Sequence, residues 1–198
     1  MSFIVGVSGG TASGKSTVTR KAAALLGATL VGHDRYYLDV ANPRGHNYDV
    51  PHSLDTALLV EQLATLKAGN AAKLPAYDFS LHQRLAESEW VLPADVVILE
   101  GILVLAEPAL VSLMDLTVYV DCADDVRLER RLVRDVADRG RDWRDVLAQW
   151  RETVRPAHRH WVAPCREQAM LVLDGEGDFD EQVARLVVHV RGMMGKPR

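Results

Sequence analysis

Five short apolar runs punctuate the chain, at residues 3–7, 29–31, 96–99, 116–120 and 171–173. Each is too short for a buried helix, and most are rich in β-branched residues, so each predicts a strand. Helical periodicity fills most of the intervals. Residues 17–26 place Val18, Ala22 and Leu25 on one face. Ser53 is positioned to cap a helix from Leu54 whose apolar stripe runs Leu58, Leu59, Leu63 and Leu66, with Gly69 as its stop. Residues 123–137 and 142–161 predict two long helices joined by the turn Asp138-Arg139-Gly140-Arg141, and residues 183–190 a last amphipathic one. Strands alternating with helices imply an α/β fold, a parallel sheet flanked by helices. Residues 73–79 and 89–92 are β-prone and separated by polar positions, which predicts a hairpin, about 72–93, projecting from the sheet. With no repeat or low-complexity linker, residues 1–198 read as a single domain.

The loop after the first predicted strand carries the chemistry. Gly9-Gly10-Thr11-Ala12-Ser13-Gly14-Lys15-Ser16, followed by Thr17, fits G-x-x-x-x-G-K-[ST], and it lies between a strand and a helix as that phosphate-binding loop requires. Glycines let the backbone fold around an anion with N–H groups pointing inward, and the helix N-terminus adds its field. Lys15 is placed to reach the β- and γ-phosphates of a nucleoside triphosphate, and the Ser16 hydroxyl to ligate Mg²⁺. Glu100, ending the strand at 96–99, is the expected second Mg²⁺ ligand. Asp34 follows the strand at 29–31 and so faces the crevice at the carboxyl ends of the sheet, where it can accept a proton from an attacking hydroxyl. Arg130, Arg131, Arg134, Arg139 and Arg141 make the 130–141 region strongly basic. They suit a helical lid, about 124–160, that closes on phosphates; the plainer alternative is a solvated face paired with Glu129, Asp135 and Asp138.

Composition narrows the classes. The 198 residues, 48% hydrophobic and 25% charged, suffice for a core and exclude disorder. A formal charge of −4 argues against nucleic-acid binding. Cys122 and Cys165 have no metal-ligand spacing and suggest neither a disulfide framework nor an oxidising compartment. No stretch has the length of a membrane span, and the N-terminus lacks a signal-peptide pattern, so a cytoplasmic protein is expected.

With the loop, Asn47-Tyr48-Asp49-Val50-Pro51, Pro75-Ala76-Tyr77-Asp78-Phe79, His82, Arg84, Val97-Ile98-Leu99-Glu100-Gly101, Arg130-Arg131, Arg134-Asp135, Arg139-Gly140-Arg141-Asp142, Gln149 and Val154-Arg155-Pro156, the chain resembles the uridine kinase family of P-loop nucleoside kinases, collinearly from about residue 4 to 173. The resemblance implies a P-loop-type fold with a β-hairpin over the substrate and a helical lid. It also implies transfer of the γ-phosphate of ATP or GTP, with Mg²⁺, to the 5′-hydroxyl of uridine or cytidine in pyrimidine salvage. It makes Asp34, Lys15 and Arg134 the catalytic groups. Gly9 to Thr17, with Arg139 and Arg141, hold the triphosphate. Tyr37, Tyr48, Asp49, Tyr77, Phe79, His82, Arg131 and Gln149 join Asp34 around the nucleoside: Asp49 and Arg131 on the ribose diol with Gln149 assisting, and Tyr77, Phe79 and His82 on the base. A homotetramer is common in such enzymes, and the resemblance points to a homo-oligomer.

Three departures stand out. The linker between Tyr37 and Asn47 is shorter than is common in the family. The turn Asp174-Gly175-Glu176-Gly177-Asp178 lacks the basic residue common near the donor's base, which leaves ATP and GTP both open. Arg35 stands where a small residue is common. Two other readings remain: a phosphoribulokinase-like or pantothenate kinase-like enzyme, and a nucleotide-dependent switch, although no Asn-Lys-x-Asp guanine motif occurs. His158 and His160, two apart on a predicted helix, face different ways, which disfavours a metal role. Trp143, Trp150 and Trp161 are expected to pack the lid helices.

Overall fold

A computed structural model describes residues 1–40, 46–78, 81 and 83–195. Its centre is β1 (Phe3–Gly9), buried along its whole length. Around it lie β2 (Thr29–Gly32), β5 (Val96–Glu100), β6 (Leu116–Asp121) and β7 (Leu171–Asp174), in the order β2-β5-β1-β6-β7, all parallel. The register sets Val7 beside Glu100 and Gly32 beside Glu100. Parallel pairing therefore brings the carboxyl ends of β1, β2 and β5 to one edge, where an open α/β sheet binds ligands.

The alternation along each strand divides the core in two. Phe3, Val5, Val7, Val96 and Ile98 face α1 (Lys15–Leu26) and α7 (Phe179–Met194), which supply Val18, Ala22, Val183, Leu186 and Val190. Ile4, Val97 and Leu99 face the other side, with Leu59, Leu63 and Leu66 of α2 (Thr56–Lys67) and Leu110 of α3 (Pro108–Val111). A sheet covered on both faces reads as continuous apolar runs, which is why the five strands stood out in the sequence.

Helix ends differ from expectation where a polar residue had a better partner. Asp55, not Ser53, caps α2: its carboxylate accepts from the Leu58 N–H at 3.2 Å. Ser53 instead donates to the carbonyls of Tyr48 and Val50 in a preceding tight turn. In α1 the buried positions are Val18, Thr19, Ala22 and Ala23, while Leu25 is 60% exposed, because the helix turns Ala23 inward at the end of the stripe. Asp178 caps α7 through the N–H groups of Asp180 and Glu181, so that the helix begins at Phe179, four residues before the expected start.

The hairpin consists of β3 (Ala72–Asp78) and β4 (Gln83–Val91), antiparallel, with an irregularity between Pro75 and Tyr77. β4 starts six residues before the expected 89, because between Gln83 and Ser88 only Leu85 is a large apolar residue, itself exposed, and one such residue makes no hydrophobic period. Arg84 pins the hairpin to the body. Its guanidinium donates to the carbonyls of Tyr36 and Tyr37 and pairs with Asp55 at 3.1 Å. Arg35, unexplained by sequence, pairs with Glu89 of the same hairpin at 2.9 Å.

After β6 come α4 (Asp124–Ala137) and α5 (Trp143–Gln149). The expected second helix is not uniform. Two π segments, Trp150–Val154 and His158–Val162, flank the short α6 (Arg155–Ala157), and a 3₁₀ segment, Ala163–Gln168, follows. Pro156 cannot donate a backbone hydrogen bond, and widening the helix around it accommodates the ring without breaking the segment. Of the three tryptophans expected to pack the helices of this region only Trp150 is buried; Trp143 stacks on Arg144 near the surface and Trp161 stays 37% exposed. His160 meets the Trp161 ring rather than His158, and no cluster of three or more His, Cys, Asp or Glu that could hold a metal occurs among the described residues. Both cysteines are free. None of the described helices is long and apolar enough to cross a membrane.

His33, at the end of β2, is 2% exposed, and its Nε2 has no hydrogen-bond partner among the described residues. It packs so closely on Gly101 that a Cβ there would lie 2.4 Å from the His33 Cβ. Burial lowers its pKa to about 4.

Leu63→Ala should cost about 2–5 kcal/mol, read as a lower urea midpoint at unchanged slope, while Trp90→Ala, 68% exposed, should stay within about 0.5 kcal/mol. The His33 shift fixes a pH dependence. In the unfolded chain the imidazole takes a proton near pH 6.5, in the fold only near 4, so stability is lost as pH falls between those values, on the order of 3 kcal/mol in all. Denaturation midpoints from pH 7.5 to 4.5 should fall less steeply for His33→Gln than for the parent; parallel slopes would remove His33 as the cause.

Candidate active site

The loop after β1 is built as an anion cradle. Gly9 and Gly14 have positive φ, at 147° and 94°, and Ala12 occupies the left-handed region at 62°, a conformation that costs a residue with a side chain about 1–2 kcal/mol and is typical of functional loops. A side chain at Gly10 would collide with Arg127 and one at Gly14 with Phe179, so the loop is held tightly from behind as well as shaped. Lys15 opens α1 at the floor of the cleft. Burial lowers its pKa, opposed by the nearby carboxylates of Glu100 and Asp34. The Ser16 hydroxyl lies 3.1 and 3.0 Å from the two Glu100 oxygens.

One cavity gathers Thr11, Lys15, Ser16, Asp34, Tyr37, Tyr48, Asp49, Tyr77, Glu100, Arg131, Arg134, Arg139, Arg141 and Gln149, nearly all the described side chains that the sequence nominated. Phe79 and His82 lie outside the described residues. Asp34 sits in a single 3₁₀ turn, His33–Tyr36, at the end of β2. Its surface is open to the cleft, but protein encloses it on the other sides. That partial desolvation, helped by the Glu100 carboxylate and opposed by Lys15, raises its pKa. The pKa of Asp49 is raised by burial too, with Arg131 the strongest opposing charge. Tyr37 stands at the centre of an aromatic wall, edge-on to Tyr48 at 5.3 Å and tilted to Tyr77 at 5.7 Å. Burial pushes the Tyr77 hydroxyl up to about 12, so it is a neutral donor and acceptor at physiological pH.

Oxygen donors from Ser16 and Glu100, meeting beside a cradle of main-chain amides, suit Mg²⁺ carried in by a triphosphate. Two protein oxygens do not complete a coordination shell, so the phosphates and water would supply the rest. The turn 174–178 folds back on α4: Glu176 accepts from the Ala123 N–H at 2.7 Å, and Arg130 donates to the Gly175 carbonyl at 2.7 Å and lies over the Phe179 ring.

Three residues had roles the sequence did not reveal. Arg127 is fully buried behind the loop. It pairs with Asp124, donates to the Cys122 carbonyl and stacks on Trp150 at 5.1 Å. Arg84 is the pin already described. Asp135, expected only as one partner of a solvated charge run, is wholly buried and contacts the guanidinium groups of Arg131, Arg134, Arg139 and Arg141. The one signal for it was its place among arginines on a helix whose opposite face is exposed.

Comparison with known proteins finds similarity along nearly the whole chain. The family model described as "Phosphoribulokinase / Uridine kinase family" matches residues 4–180. A uridine kinase of Ligilactobacillus salivarius is 38% identical over 201 residues, covering 98% of this chain and 94% of that protein. Uridine-cytidine kinase A of Dictyostelium discoideum is 38% identical over 96% of this chain, which spans 39% of that longer protein. Among solved structures, a candidate fructose transport system kinase of Silicibacter sp. TM1040 superposes with a TM-score of 0.71 at 25% identity, covering 87% of this chain and 89% of that one. With the phosphate loop at the end of β1, its carboxylate at the end of β5 and a full-length match to named relatives, the chain belongs to the phosphoribulokinase/uridine kinase family.

Proposed function

We propose that this protein is a uridine/cytidine kinase, transferring the γ-phosphoryl group of ATP or GTP to the 5′-hydroxyl of a pyrimidine ribonucleoside to give UMP or CMP. The observation that carries the reading is a single cleft with Lys15, Ser16 and Glu100 at one end, Asp49, Arg131 and the Tyr37–Tyr48–Tyr77 wall at the other, and Asp34 between them. Relatives named uridine kinase and uridine-cytidine kinase support the substrate class.

Each residue then has a physical task. The amides of the loop from Gly9 to Thr17 bind the phosphates, and Lys15 adds a positive charge that the Glu100 and Asp34 carboxylates help it keep against burial. Mg²⁺, held by Ser16 and Glu100 together with phosphate oxygens, would supply charge neutralisation. Asp34 orients the acceptor hydroxyl and takes its proton; since phosphoryl transfer has a loose transition state, the proton leaves late. Arg134, Arg139 and Arg141 meet the charge spread over the transferring oxygens. Asp49 accepts and Arg131 donates, so together they satisfy the 2′- and 3′-hydroxyls, with Gln149 holding Arg131 at 2.9 Å. The tyrosine wall faces the flat pyrimidine, joined in this reading by Phe79 and His82. Pyrimidine salvage in the cytoplasm is the setting this chemistry fits.

Steady-state kinetics test the reading, with UMP and CMP as the products to be found. Asp34→Asn should lower kcat by about 10²–10⁴-fold with nucleoside affinity nearly kept, and should abolish the acid limb of the parent's pH–rate profile. That limb should lie above the ordinary carboxylate range, because the Asp34 pKa is raised and activity is lost as pH falls through it. Near-parental turnover in Asp34→Asn would remove Asp34 from its role. 2′-Deoxyuridine should show at least about 10²-fold lower kcat/KM than uridine, since Asp49 and Arg131 would be left unpaired in a desolvated site. Asp49→Ala should erase most of that discrimination; equal use of both sugars by the parent would contradict the diol assignment.

A further inference from the structure

The four lid arginines converge on one carboxylate. Asp135 is wholly buried, and its two oxygens divide the guanidinium groups into pairs. Oδ1 takes Arg134 at 2.8 Å and Arg139 at 3.3 Å. Oδ2 takes Arg141 at 3.4 Å and Arg131 at 3.5 Å. The Gln149 carbonyl oxygen binds the second pair again, accepting from Arg131 at 2.9 Å and Arg141 at 3.0 Å. Arg131 also reaches the phosphate loop, donating to the Thr11 hydroxyl at 3.2 Å, and its charge is the strongest attraction acting on Asp49. The main chain closes the same unit, with the Arg141 N–H donating to the Asp135 carbonyl at 3.0 Å.

One buried planar group thus touches both halves of the cleft: Oδ2 joins the sugar-side Arg131 to the phosphate-side Arg141, and Oδ1 holds the phosphate-side Arg134 and Arg139. Without a negative charge there, four guanidinium groups within reach of each other would repel and spread. Burying a carboxylate is unfavourable unless its partners are close, so the cluster resists rearranging one pair alone. The Arg131 Nε lies 3.5 Å from Oδ2 and has no hydrogen bond among the described residues, so a shift of this guanidinium on engaging a diol can shorten that contact.

We propose that Asp135 is a positioning residue that makes nucleoside and triphosphate binding cooperative. The inference rests on the kinase reading above. A nucleoside whose diol engages Arg131 and Asp49 fixes the Oδ2 pair, and the carboxylate then presents Arg134 and Arg139 in one arrangement. The triphosphate meets arginines already ordered, and by linkage it tightens nucleoside binding by the same factor. In Asp135→Asn one oxygen becomes an NH₂ donor facing a guanidinium, so one pair is lost and the halves separate.

The test is calorimetric titration of the intact protein with Mg²⁺ and the non-hydrolysable β,γ-imido analogue of ATP, with and without saturating uridine. The parent should bind the analogue about 10-fold more tightly with uridine present, within the usual range of coupling. Asp135→Asn should show less than about 2-fold, and Asp135→Glu, which keeps the charge, should recover part of the effect. A purely structural role would lower melting temperature but leave the coupling factor of the folded variant unchanged. If Asp135→Asn does not fold, Arg139→Gln, at a half-exposed position on the Oδ1 side, should weaken analogue binding with and without uridine and should also reduce the ratio of the two affinities, which is the coupling factor. Parental coupling in either folded variant, or no coupling in a parent that phosphorylates uridine, overturns the inference and leaves the kinase reading intact. A parent that neither binds nor phosphorylates uridine or cytidine overturns both.

Discussion

A lysine enclosed by protein is tolerable only with opposite charge close at hand. Lys15 has Glu100 and Asp34 near it, and the architecture can be understood as the way of delivering those two carboxylates. They lie far apart in the chain, one after β2 and one ending β5, and a parallel sheet is what returns both strand ends to the edge where β1 releases the phosphate loop. The same desolvation that weakens the hold of Lys15 on its proton raises the pKa of Asp34, while the two carboxylates oppose the loss of charge at Lys15. An incoming triphosphate adds negative charge where the amide cradle and Lys15 are already oriented, and little reorganisation is needed at the moment of reaction.

The arginines of α4 and the turn after it present the opposite problem. They are an excess of positive charge in one place, and Asp135 with Gln149 gathers guanidinium groups that would otherwise separate. Behind the loop, Arg127 does related work from a fixed position, stacked on Trp150 and abutting Gly10. α4 and the turn after it therefore present cations at three depths: Arg127 against the back of the loop, Arg131 across its mouth, and Arg134 with Arg139 at the rim. Trp150, the first residue of the first π segment, is buried against Arg127.

The sheet was legible because its strands are buried on both faces, and an unbroken run such as Val96 to Leu99 fits little besides a strand covered by helices on either side. The phosphate loop was legible because its chemistry is local: glycine at positive-φ positions, Lys15 and Ser16 are close in sequence and in space. β4 was not, since a hairpin strand exposed on most of its length carries no hydrophobic period. The caps went astray at Ser53 and Asp55 because either residue type can cap, and the choice depended on carbonyls of Tyr48 and Val50 that only the fold brings near. Asp135 was hidden for a related reason. A carboxylate among arginines in a helix usually marks a solvated face, and only the packing of α5 and the 138–142 turn against α4 shows that this one is enclosed.

The anion cradle and the sugar-and-base pocket must form one continuous cleft, with the acceptor hydroxyl pointed at the donor, for any of these roles to hold. A bisubstrate ligand, adenosine joined through four phosphates to the 5′-oxygen of uridine, probes that continuity by titration calorimetry. It should bind at least about 10²-fold tighter than ATP or uridine alone, with separate large losses in Lys15→Ala and Asp49→Ala. Affinity no better than that of ATP, unaffected by Asp49→Ala, would mean that the two halves do not face each other, and the kinase geometry would have to be abandoned.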